Sequence, residues 1–119
     1  MKKETNKISA ETTVKTSDIA TSAGITASSV YGVVGLLDEK SVSSHSNKIL
    51  SFLNKEDFAK GVSIKKGKAG YELSLYVVCS KDIKIAEVVY EVQKQVKYSL
   101  KRKYKIDIQA VNVFIVDLK

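Results

Sequence analysis

The chain reads as a two-layer α+β domain: a small mixed β-sheet with two long helices on one face, in the order β-α-(short α)-β-β-α-β. Three observations predict this. Apolar residues recur at helical spacing in two places, through Ile19, Ala23 and Val30 and through Ile85, Val88, Val92, Val96 and Leu100. They alternate at strand spacing in the stretches 8–14, 62–65, 71–79 and 106–115. Between the second and third of these, Lys66-Gly67-Lys68-Ala69-Gly70 supplies the turn of a hairpin. A length of 119 residues with 44% hydrophobic content suits one domain, placed at 8–119 behind a flexible N-terminus at 1–7.

Ile8, Ala10, Thr12 and Val14 alternate with Ser9, Glu11 and Thr13, a strand with a moderately apolar face. Thr16 then reads as a helix N-cap, with Asp18 complementing the macrodipole in the first turn. The helical stripe runs Ile19, Ala23, Thr26 or Ala27, Val30 and Val33, with Thr21, Ser22, Ser28 and Ser29 outside. Gly24 weakens this helix by about 1 kcal/mol relative to Ala, so tertiary packing must hold it. Gly32 and Gly35 are expected to end it. The Ser-rich stretch 38–47 reads as a surface loop. Ile49, Leu50, Phe52 and Leu53 follow at short amphipathic-helix spacing.

In the strand after the hairpin turn, Tyr71, Leu73, Leu75, Val77 and Cys79 share one face. Tyr76 and Val78 make the other face apolar as well, so that end is expected to be covered on both sides. Asp82 is placed to cap the second long helix. Glu87 and Glu91 lie in its first half, and Lys101, Arg102 and Lys103 in its last turn, each sign at the end the dipole favours. Its core stripe is Ile85, Val88, Val89, Val92, Val96 and Leu100. Four of these six are Val, a modest helix former, so burial rather than propensity must stabilise the helix. In the last strand Ile106 and Ile108 share one parity and Val111, Val113 and Ile115 the other. A bulge near Gln109-Ala110 reconciles them.

The charge balance is basic and uneven. Net charge is +7, and all but one of the 20 cations are Lys, Arg102 being the exception. Lys94, Lys97, Lys101, Arg102, Lys103 and Lys105 crowd the end of the second helix with no acid among them. Cys79 is the sole cysteine, which excludes an intramolecular disulfide and suits a reducing compartment. The N-terminus carries no apolar segment of the secretory kind, and no apolar run approaches the roughly 20 residues of a membrane-spanning helix.

Several short motifs together resemble the alkaline shock protein family of bacterial envelope stress proteins. They are Ile85-Ala86-Glu87-Val88, Val92-Gln93-Lys94-Gln95-Val96-Lys97, Tyr104-Lys105-Ile106 and Val111-Asn112-Val113. Upstream, the run from Val30 to Leu36, Lys60-Gly61-Val62 and the piece 49–55 are similar to the family's pattern in order and spacing. The likeness covers residues 14 to 116. Two positions depart from it. Ala86 replaces a helix-start Pro, and Lys105 stands where the family has Gly. If the latter position requires φ > 0, Lys105 is strained or the helix ends differently. The resemblance implies a cytoplasmic protein of cell-envelope homeostasis, without a cofactor, acting through a partner. Some relatives sit near the membrane through an anchored protein, and others are linked to fatty-acid metabolism. It carries over no catalytic residue.

The candidate site is therefore a surface: Lys94, Lys97, Lys101, Arg102 and Lys105, for an acidic protein partner, anionic lipid or nucleic acid. A solvated helix face with a dipole-matched terminus is the plainer account of the same residues. Tyr98 and Tyr104 interleave with the cations, where they could stack on bases or simply lie at the helix edge. Gly32-Val33-Val34-Gly35 spells the glycine pair of a KH-type RNA clamp, but two valines suit a backbone clamp poorly, and a helix terminus packed into the core is preferred. His45 could serve a nucleophilic Cys79 only if the thiol were exposed, whereas its place on an apolar strand face buries it. Asp38-Glu39 and Glu56-Asp57 lack the His or Cys neighbours of a metal site. Asn112 reads as an outward polar residue on a half-exposed strand. The expectation is a non-enzymatic interaction module without metal or cofactor. The alternative is a small basic nucleic-acid-binding module. Self-association through 49–53 or a free sheet edge is expected as well.

Overall fold

A computed structural model describes residues 15–38 and 59–119. The expected first strand (8–14), the Ser-rich loop beyond residue 38 and the short helix at 49–53 lie outside the described residues. In chain order the elements are α1 (Thr16–Ser28), β1 (Val33–Leu36), β2 (Val62–Gly67), β3 (Gly70–Cys79), α2 (Ile85–Tyr104) and β4 (Ile108–Leu118).

β3 is the centre of the sheet. β4 runs parallel to it from Tyr71↔Ile108 to Cys79↔Leu118 and so takes one whole edge. β2 and β1 must then share the other edge, end to end and both antiparallel, β2 opposite the first half of β3 and β1 opposite its last three residues. A parallel neighbour needs a crossover, and α2 supplies it. The sheet is thus mixed, as the order of elements predicts. Both helices pack on one face, α1 against β1, β2 and α2, and α2 against β4.

The buried face of β3 is the alternation read from the sequence: Leu73, Leu75, Val77 and Cys79 are all 0% exposed. Ile19, Ala23 and Ala27 of α1 and Val88, Val92, Val96 and Leu100 of α2 close over it. On the reverse face Val78 is also buried, while Tyr76 stacks on Phe114 with ring centroids 5.3 Å apart. The parity change in β4 is met by a bulge: Ile108 faces Tyr71, Ala110 faces Glu72, and Gln109 is the extra residue. A second irregularity follows near Val116.

Several expectations need correcting. The helical stripe does not continue to Val33. α1 stops at Ser28, whose successor Ser29 bonds back to Thr26 and Ile25, and Val33–Leu36 is a strand paired with β3. The Val-rich piece gains more from a sheet partner than from a helix that Gly32 must break. Neither helix has a side-chain N-cap: Lys15 and Lys84 stand at those positions, so Thr16 lies inside α1 and Asp82 two residues short of the cap. Ser22 is buried rather than outward. Ile85, the first residue of α2, is exposed, so the stripe buries only from Val88 onward.

Glycine is required at two contacts. Gly32 has φ 100°, and a Cβ there would lie 2.8 Å from Val88 Cγ2. Gly70 has φ 129°, and a Cβ would lie 2.5 Å from the Asp107 carbonyl oxygen. The second contact is where the hairpin turn meets the start of β4, next to the Tyr71 N–H to Asp107 O bond of 2.9 Å.

Candidate interaction surface

α2 divides by periodicity. Val88, Val92, Val96 and Leu100 turn into the core, and the opposite stripe holds Tyr90, Lys94, Lys97, Tyr98 and Lys101, at i, i+4, i+7, i+8 and i+11. Because α2 lies over β4, this stripe meets the start of that strand. Lys94, Lys97, Tyr98 and Lys101 line an open groove of about 430 Å³ with Asp107 and Ile108.

The groove's three lysines are not equivalent. Lys94 pairs with Glu91 at 3.3 Å and lies 5.5 Å from the Tyr90 ring. Lys101 pairs with Asp107 at 3.0 Å. Lys97, between them, has no ion pair among the described residues. Both pairs are exposed, and exposed pairs of this kind contribute about 0–1 kcal/mol. The Gln95 amide donates to Glu91 at 2.7 Å, and that bond together with Lys94 holds the Glu91 carboxyl below its ordinary value.

Of the other expected site residues, Arg102 lies outside the groove with its guanidinium 6.0 Å from the Tyr98 ring. Lys105 does not join them. It is the one described non-glycine residue with positive φ (59°), closing α2 through its N–H to Lys101 O at 2.9 Å. Of the two outcomes the sequence left open for this position, strain is the one realised. Tyr104 turns inward, its hydroxyl 2.8 Å from Ser22 Oγ, with the Lys103 ammonium 3.4 Å from the same oxygen, so it clasps α1 to α2.

Sequence reasoning missed three members of the groove's surroundings. Tyr90 was legible from its i,i+4 spacing to Lys94. Asp107 and Ile108 carry no such signal, because only the turn after α2 brings them back beside it.

The remaining candidates separate clearly. The glycine pair Gly32 and Gly35 lies in a tight turn and a β-strand, with Val33 and Gly35 paired to Cys79 and Val78. It is neither the helix terminus expected nor the exposed inter-helix loop that clamps a nucleic-acid backbone. Cys79 is fully buried, and burial pushes its thiol pKa up, away from nucleophilic reactivity. His45, Glu39, Glu56 and Asp57 lie outside the described residues. Asn112 donates to Glu72 at 3.0 Å on the reverse face of the sheet. Among the described residues there is no group of three or more potential metal ligands, and no helix long and apolar enough to cross a membrane.

Comparison with known proteins agrees with the family resemblance carried by the motifs. A sequence model of the alkaline shock protein family, described as having a cell envelope-related function, matches residues 3–119. The chain is 34% identical to the uncharacterized protein Spy1614 of Streptococcus pyogenes serotype M6, over 85% of this chain and 81% of that protein. It is 30% identical to the uncharacterized protein YloU of Bacillus subtilis, over 82% of this chain and 78% of that protein. No solved structure matches. The chain belongs to the alkaline shock protein family.

Proposed function

We propose that this alkaline shock family member is a non-enzymatic adaptor, serving the cell envelope or its lipid supply by binding a protein partner in the cytoplasm near the membrane. The observation that carries the reading is the division of α2. Its inner stripe is fully used by the core, while its outer stripe gathers lysines and tyrosines beside an open groove. The family's envelope-related description supports the setting. The chemistry of the only thiol supports an adaptor over a nucleophilic enzyme, since burial keeps Cys79 protonated.

The test is crosslinking in cells with the tagged full-length chain, followed by mass spectrometry. The expected result is one recurrent envelope or lipid-metabolism protein, lost on replacing Lys94, Lys97 and Lys101 together by Glu. Purified chain that turns over a substrate, or a crosslinked set identical to that of an untagged control, overturns the reading.

A further inference from the structure

The groove and its neighbouring strand together specify the chemistry of a partner, an inference that rests on the adaptor reading above. β4 is an 11-residue strand with β3 on one edge and, among the described residues, no strand on the other. An edge of this kind offers backbone N–H and C=O groups to an incoming strand. α2 overhangs β4, and Gln93 Nε2 reaches its backbone, donating to the Val111 carbonyl at 2.9 Å. The groove lysines lie along the same helix, opening at Ile108, where β4 begins.

We propose that an extended acidic peptide segment of a partner protein adds to the edge of β4 away from β3, with acidic side chains at alternate positions entering the groove at Lys97 and its neighbours. The spacing fits. Alternate side chains on a strand are about 6.6 Å apart, and Lys97 and Lys101, four helical residues apart, are separated by about 6 Å along the axis. The groove already shows its preferred ligand, because Lys94 and Lys101 each hold a carboxylate of the same chain. Lys97 is the cation left for a carboxylate from outside.

Competing occupants fit less well. A second copy of the chain would bring two lysine stripes together, and like charges across an interface oppose association. Phosphate-rich partners favour the planar arginine fork, whereas the groove's cations are lysines alone. A flat membrane does not follow a groove.

The experiment uses the full-length chain and a fluorescein-labelled octapeptide with glutamate at alternate positions and threonine or valine between, read by anisotropy. A peptide of the same composition with its glutamates contiguous is the control. The alternating peptide is expected to bind at about 50 mM salt and to weaken severalfold by about 300 mM, as screening shortens the reach of the charges. Lys97→Glu is expected to weaken it about tenfold. Lys81→Glu, the same charge change at an exposed lysine away from the groove, should leave it within about twofold. Amide exchange should slow in β4 when the peptide is bound.

Absence of binding at low salt, equal binding of the contiguous peptide, or indifference to Lys97→Glu overturns the proposal. So does tighter binding of phosphatidylglycerol vesicles or of single-stranded RNA to the same face. If the peptide fails while the crosslinked partner is still lost from the triple Glu variant, the acidic strand is wrong and the adaptor stands. If the wild-type chain yields no partner at all, the adaptor reading falls as well.

Discussion

Replacing Lys105 by Gly should relieve a strained helix terminus, although it also removes a charge from the favourable end of that helix. Lys105 sits at φ 59°, ψ 35°, and its N–H closes α2 on Lys101 O. An L-residue in this conformation is disfavoured by about 1–2 kcal/mol because its Cβ crowds the following carbonyl. Glycine removes that crowding but loses more backbone freedom on folding, at a cost of about 0.5–1 kcal/mol. The net backbone gain is therefore about 0.5–1 kcal/mol. The lost lysine charge near the C-terminus opposes it by about 0.3–1 kcal/mol at low salt. Lys105→Ala separates the two effects, because it removes the charge and keeps the Cβ. Lys105→Gly should exceed Lys105→Ala by about 0.5–1 kcal/mol, seen as a higher urea midpoint at unchanged m. In thermal melts followed by circular dichroism the difference is about 2–4 °C for a domain of this size. If Gly and Ala variants melt together, or Gly melts lower, the left-handed cap is not strained and the reasoning fails.

Other outcomes test the rest of the molecule. Leu100→Ala, at a side chain with 0% exposure in the centre of the core, should cost about 2–5 kcal/mol in urea unfolding. Tyr104→Phe removes the hydroxyl 2.8 Å from Ser22 Oγ and should cost about 1 kcal/mol, and adding Ser22→Ala should recover part of it. Gly70→Ala drives a Cβ to 2.5 Å from the Asp107 carbonyl at φ 129° and should destabilise by more than about 1 kcal/mol, with β4 amides exchanging faster. Cys79 gives a pH prediction. Its folded pKa lies above the ordinary thiol value of 9.0, so its stabilising contribution is whole below about pH 9 and is lost as pH rises further and the unfolded thiol ionises. Urea midpoints between about pH 8 and pH 10 should therefore fall more steeply for the natural chain than for Cys79→Ala.

Most of the framework was legible because period is a local property. The β3 alternation, the inner stripe of α2 and the Gln109 bulge follow from side-chain spacing alone; the structure buries the first two and places the bulge at Gln109. The run from Val30 to Leu36 misleads because its valines fit helical spacing as well as strand spacing. The β3 edge left open beyond β2 decided between them, and that edge is a long-range fact. The caps failed for a related reason: a polar residue near a helix start signals a cap only if the chain enters at the right place. The site was half legible. The lysine stripe could be read at i, i+3 and i+7, with Tyr98 beside it at i+4, but not that two of the three lysines are paired, nor that Lys105 is turned away into the cap.

By itself the sequence determined the α+β class, the inner and outer faces of α2, the burial of the single thiol and the family, because each depends on residue type and spacing along the chain. Only the tertiary structure decided that Val33–Leu36 joins the sheet, that Tyr104 and Ser22 meet across two helices, and that Asp107 and Ile108 complete a groove with Lys94, Lys97 and Lys101. Those facts depend on which elements become neighbours, and that is settled by the packing of two helices on one face of a sheet whose central strand has two edges to fill.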